Sequence, residues 1–128
     1  IIMEVASGER DKFEIYGNDY DTKDGTCTRD YIHVSDLANA HAKSVDYLNK
    51  NINATFNLAT GNSYSVLDVL KKAELVTNKK IQYNFAPKRP GDPAELYAVS
   101  NNVNNSLNWH PEHSDLENIL KSMWQIYK

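Results

Sequence analysis

The chain alternates short stretches of two-residue hydrophobic periodicity with longer stretches of helical periodicity, and this sets the expected element order. The opening IIMEVASG places apolar residues at helical spacing and ends in Gly8, the residue favoured in the left-handed position after a helix. It reads as the tail of a helix, and the chain as an excised portion of something longer. KFEIYG (12–17) alternates around Phe13 and Ile15 and predicts a short strand. A polar loop with an Asp24-Gly25 turn follows, and CTRDYIHV (27–34), rich in β-branched and aromatic residues, predicts an extended segment. Ser35 then caps a helix that begins at Asp36, in which Leu37, His41, Val45 and Leu48 recur at helical spacing.

The second half repeats the alternation. ATFNLAT (54–60) predicts a short buried strand, and Ser65 with Asp68 forms a capping box ahead of a helix with Val66, Leu67, Val69, Leu70 and Ala73 on one face. KIQYNFAP alternates at Ile81, Tyr83 and Phe85 and predicts a half-buried strand. KRPGDPAELYAVS is a loop, because each proline lacks a donor N–H and restricts its neighbour. Ser100 caps a short helix around Val103 and Leu107, and Ser114 with Glu117 makes a second capping box before a final helix carrying Leu116, Ile119, Leu120, Met123, Trp124 and Tyr127. Short strands between amphipathic helices define an α+β fold or a piece of an α/β fold.

Composition narrows the function. With 128 residues there is room for one domain. A formal net charge of −3 gives no basic field of the kind that binds nucleic acid by counterion release. A single cysteine, Cys27, excludes an internal disulfide framework and suits a reducing, cytoplasmic setting. No apolar run approaches the ~18 residues of a membrane span. The five glycines stand at 8, 17, 25, 61 and 91, too far apart for a dinucleotide or Walker phosphate loop. His110 and His113 have metal-like spacing, but Pro111 between them and the lack of a nearby cysteine favour a plain loop.

The residues with chemical promise are two of the three arginines. In TRDYIH, Arg29 alternates with Tyr31 and His33, so an extended chain turns all three to one face. In KRPGDP, Arg89 and Asp92 lie three apart in a Pro/Gly turn. Guanidinium is the preferred bidentate partner of phosphate, and a carboxylate accepts well from ribose hydroxyls, so the set suits a nucleoside diphosphate. The alternative is ordinary ion pairing, Arg29 with Asp30 or Asp36 and Arg89 with Asp92.

The runs IYGNDYDTKDGTCTRDYIHVSDLANAH, FNLATGNSYSVLDV, APKRPGDPAELYA and LNWHPEHSDLENILKSMW, in this order, closely resemble the carboxy-terminal portion of UDP-glucose 4-epimerases, extended short-chain dehydrogenase/reductases. The resemblance implies the small substrate domain of a Rossmann-type enzyme. Residues 1–128 would form the UDP-hexose-binding portion, and a separate amino-terminal domain, absent from this chain, would bind NAD. It further implies that Glu14, Ile15 and Tyr16 meet the uracil, partly through backbone groups. Arg29 and Arg89 would bind the diphosphate, Tyr31 would pack near the nucleotide, and Asp92 would accept from the ribose. Leu96 stands at a hexose-pocket position, where leucine in place of an aromatic ring leaves room for an N-acetylated hexose; a plain core leucine is the other reading.

In this family a tyrosine from a Y-x-x-x-K pair acts as base while hydride passes to NAD and back. None of the eight tyrosines here has lysine four residues later. The chain is therefore expected to hold no catalytic residue and to be inactive alone, within a full-length enzyme expected to be a homodimer. The other readings are a nucleotide-sugar dehydratase, an epimerase of UDP-N-acetylhexosamine or UDP-uronate, or a non-catalytic nucleotide-sugar-binding module.

Overall fold

The computed structural model describes residues 1–50 and 53–128. In order, the elements are α1 (Ile2–Ser7), β1 (Phe13–Tyr16), β2 (Thr28–Asp30), α2 (Val34–Leu48), β3 (Ser63–Ser65), α3 (Val66–Thr77), β4 (Tyr83–Ala86), β5 (Glu95–Leu96), α4 (Asn101–Leu107) and α5 (Leu116–Tyr127). The fold mixes helices with short strands. Parallel β1 and β4 form one ribbon, with Ile15 opposite Phe85, and β2 lies between antiparallel β3 and parallel β5 in a second small sheet.

The main core lies where α1, α3, α5 and β1 meet, around Met3, Ile15, Ala73, Ile81, Leu116 and Leu120. Strand alternation sends Phe13 and Ile15 into this core and leaves Glu14 and Tyr16 outside. A smaller core joins α2 to α4 through Ala40, Val103, Leu107 and Trp109, with Tyr47, Phe56 and Leu58 packed against it. Asp36, only 3% exposed, ties the two together. Its carboxylate accepts from Glu112 N at 3.1 Å, His113 N at 2.9 Å and Ser114 Oγ at 2.5 Å, and its backbone carbonyl accepts from Trp109 Nε1 at 2.9 Å. Burial pushes its pKa up, but the donors from Ser114, Glu112 and His113 outweigh that and hold it below the ordinary carboxylate value.

Several expectations hold. Gly8 sits in the left-handed region at φ 87° after α1, and Ser65 and Asp68 form the reciprocal capping box of α3. Others need correction. The cap of α2 is His33, whose side chain accepts from Ser35 N. Ser114 is no cap either, because Asp115 holds the first turn of α5 while Ser114 donates to Asp36. Ser100 precedes α4 without a side-chain capping bond. Helix α2 buries Asp36 and Ala40, whereas Leu37, Val45 and Leu48 of the expected stripe are exposed. Residues 54–60 form no strand, and of these only Ala59 is buried. The extended run expected over 27–34 contracts to three residues, and the proline-rich loop contains the unforeseen strand β5.

Candidate functional site

Arg89, Pro90, Gly91 and Asp92 build the centre of the site by turn chemistry. Proline suits the second position of a type II turn and glycine the third, where φ must be positive; Gly91 has φ 84°. The turn closes with Asp92 N donating to Arg89 O at 3.2 Å, which places the two flanking side chains together. Arg89 donates to Asp92 Oδ2 through Nε at 2.8 Å, and its Nη2 lies 2.7 Å from the same oxygen. This carboxylate raises the pKa of Arg89.

The second arginine arrives from a distant part of the sequence. Strand β2 carries Arg29 beside β5, which follows the turn directly, and the Arg29 guanidinium lies 3.6 Å from Asp92 Oδ1. Its Nη1 donates to Thr28 O at 2.8 Å, so its own strand also steadies it. The ion pairing weighed from sequence is thus half right: Arg89 pairs with Asp92, but Asp30 accepts from Thr60 and Asp36 from the 112–114 loop, leaving neither to Arg29. Two cations converge on one carboxylate.

Strand β1 adds the flank. Tyr16 lies under Arg89, ring centroid 4.8 Å from the guanidinium carbon, and donates its hydroxyl to Glu14 Oε2 at 3.1 Å. Glu14, Tyr16, Arg29, Arg89 and Asp92 therefore form one constellation. Ile15 does not join it through its side chain, which is 1% exposed in the main core because it occupies the inward strand position, and its backbone pairs with β4 opposite Phe85. Tyr31 packs against the main core, where burial pushes its phenol pKa up. The alternation expected to align Arg29, Tyr31 and His33 ends with β2 at Asp30, and His33 instead caps α2 and reaches Ser122 Oγ at 3.0 Å.

Leu96 is 60% exposed, which corrects the core reading of this residue. With Arg29, Asp30, Ile32, Leu58 and Tyr97 it lines a hollow of about 250 Å³. Leu58 and Tyr97 are lining residues that sequence reasoning missed. Tyr97 had the signal of adjacency to Leu96, whereas Leu58 had none. The arrangement offers two guanidiniums for an oxyanion, a carboxylate for hydroxyls, an exposed aromatic beside the anion and an apolar hollow next door.

Each of the five glycines sits singly at positive φ; Gly8 ends a helix, and Gly25 is pressed against the Asn18 carbonyl, where a Cβ would come within 2.2 Å. No group of three His, Cys, Asp or Glu side chains gathers for a metal among the described residues. No described helix is long and apolar enough to cross a membrane.

Residues 1–123 match the family described as GDP-mannose 4,6 dehydratase, to which the chain belongs. Among curated relatives, the UDP-glucose 4-epimerase of Halalkalibacterium halodurans is 42% identical over 129 residues, covering 100% of this chain and 39% of the relative. The UDP-glucose 4-epimerase of Bifidobacterium longum, solved in complex with NAD+ and UDP, is 41% identical with a TM-score of 0.91 over 98% of this chain and 38% of that one. The UDP-Glc/GlcNAc 4-epimerase of Campylobacter jejuni is also 41% identical, with a TM-score of 0.87 over the same shares, 98% and 38%. The chain thus spans about 39% of the length of the curated relatives it matches.

Proposed function

We propose that this chain is the carboxy-terminal, UDP-hexose-binding portion of a UDP-glucose 4-epimerase, and that the longer protein interconverts UDP-glucose and UDP-galactose. The observation that carries the reading is the convergence of Arg29 and Arg89 on Asp92 beside Tyr16 and the Leu96 hollow. Arg29 and Arg89 hold the diphosphate as charge-assisted donors, Asp92 accepts from the ribose, and Tyr16 with the backbone of β1 flanks the uracil.

The exposed stripe of α2, with Leu37, Val45 and Leu48, supplies the surface on which the rest of the enzyme packs. Oxidation and reduction at C4 of the hexose is the work of NAD, which binds outside these residues; this chain contributes substrate position and no catalytic group. The whole enzyme is read as a cytoplasmic homodimer. Conversion of UDP-galactose by the longer protein, with no turnover by residues 1–128 alone, tests the reading. Turnover by the 128 residues, or no epimerisation by the longer protein, overturns it.

The open hollow at Leu96 favours a second substrate, a UDP-N-acetylhexosamine, because position 96 itself carries a leucine and not a ring. The likeness to the Campylobacter jejuni UDP-Glc/GlcNAc 4-epimerase supports this extension.

A further inference from the structure

We infer that Asp92 is an internal counter-anion that occupies the two-arginine clamp until a diphosphate displaces it, and so sets how tightly the site takes any diphosphate. The inference rests on the reading of Arg29 and Arg89 as the diphosphate site. Both carboxylate oxygens face cations: Oδ2 takes Nε and Nη2 of Arg89 at 2.8 Å and 2.7 Å, and Oδ1 lies 3.6 Å from Arg29. Arg89 Nε and Nη2 are therefore already engaged by a carboxylate, and Arg29 faces the same group at ion-pair distance.

The type II turn makes this engagement hard to avoid. Positions 89 and 92 are its first and last residues, so the carboxylate is tethered within reach of the guanidinium at a high effective concentration. An incoming anion competes with a group that never diffuses away. Charge points the same way. Arg29, Arg89 and Asp92 sum to one positive charge with the carboxylate in place and two without it, and the second state suits a dianion better.

The clamp itself does not depend on Asp92 alone. Arg29 keeps its bond to Thr28 O, and Arg89 keeps the Tyr16 ring beneath it at 4.8 Å. Removing the carboxylate thus frees donors while leaving independent contacts to hold both guanidiniums. A carboxylate whose role was to position the arginines would act in the opposite direction, because its loss would scatter them.

Inorganic pyrophosphate separates the two, since it carries no ribose and so does not engage the second role assigned to Asp92. The experiment titrates pyrophosphate calorimetrically into the NAD-saturated full-length protein and its Asp92→Asn variant, with an Arg29→Ala/Arg89→Ala double variant to mark heat arising elsewhere. Asp92→Ser provides a second measurement, and circular dichroism checks that each variant is folded. The expected result is that both Asp92 variants bind pyrophosphate about fivefold more tightly than the native protein, the scale of one exposed ion pair removed from competition. Unchanged or weaker binding in the variants, with native binding intact, overturns the counter-anion role while leaving the diphosphate site standing. Pyrophosphate binding that is absent from native and variant proteins alike, or equal in the double-arginine variant, overturns the site reading and the inference together.

Discussion

Replacing Asp36 with alanine removes one carboxylate that three donors share, and its effect on stability follows from the structure. Glu112 N, His113 N and Ser114 Oγ all donate to this side chain at 2.5 to 3.1 Å, and the site is almost closed to water, with Asp36 3% exposed. Hydrogen bonds to a charged group contribute about 1.5 to 3 kcal/mol each, and donors left without a partner lose more than the bond itself. The three bonds share one acceptor and are not additive, and the loop can admit water once the carboxylate is gone, so Asp36→Ala should destabilise by about 3 kcal/mol. Urea unfolding followed by tryptophan fluorescence measures this well, because Trp109 is fully buried and donates to Asp36 O.

Ser114→Ala leaves two of the three donors in place and should lower stability by about 1 kcal/mol. The pH dependence has a definite sign. The folded pKa of Asp36 lies below its ordinary value of 3.8, so its contribution is complete above pH 3.8 and is lost as pH falls through the lower folded value. The alanine variant lacks this acid-sensitive component, and the difference between native and variant stability should shrink in that range. A change of less than about 1 kcal/mol at neutral pH would refute the reasoning, since the three donors would then be satisfied as well by water.

Three further outcomes are expected. Gly25→Ala meets both a left-handed φ of 80° and the Asn18 carbonyl at 2.2 Å, whereas Gly61→Ala meets only a φ of 77° in open space. Thermal unfolding should therefore show about 1 kcal/mol lost at Gly61 and clearly more at Gly25. Asp24, pushed up by burial but held lower overall by donors from Ser65 and Thr26, should add to the acid-sensitive component, and Asp24→Asn should flatten the stability profile below its ordinary value of 3.8. On the proposed epimerase function of the longer protein, Leu96→Tyr fills the exposed hollow and should reduce kcat/KM for a UDP-N-acetylhexosamine at least about tenfold relative to UDP-galactose.

Local chemistry made part of this structure readable from sequence. The Arg89-Pro90-Gly91-Asp92 turn and the Ser65/Asp68 capping box depend on neighbours within four residues, and both form as their residue types require. The misread caps show what local reasoning lacks. Ser114 has the spacing of a helix cap, yet a buried carboxylate 78 positions earlier competes for its hydroxyl. Periodicity found α2 but not its buried face, because an amphipathic pattern does not say which side has a partner within the chain. Residues 54–60 likewise have a strand-like sequence, but they meet β2 through Thr60 and the Asp30 carboxylate and not through a strand ladder.

The site divides in the same way. Arg89 with Asp92 was legible as a turn, while the approach of Arg29 depends on β2 pairing with β5, a two-residue strand that no pattern announced. Ile15 lies in a strand as its alternation predicts, but the same alternation that exposes Glu14 and Tyr16 buries it.

The central claim is that Arg29 and Arg89 bind the diphosphate of a UDP-sugar, and calorimetric titration of the folded protein with UDP and UDP-glucose, repeated with Arg29→Ala and Arg89→Ala, tests it most directly. The account predicts that the native protein binds both ligands and that each substitution weakens binding by about tenfold or more. Binding of UDP and UDP-glucose that is unchanged in both arginine variants would contradict it.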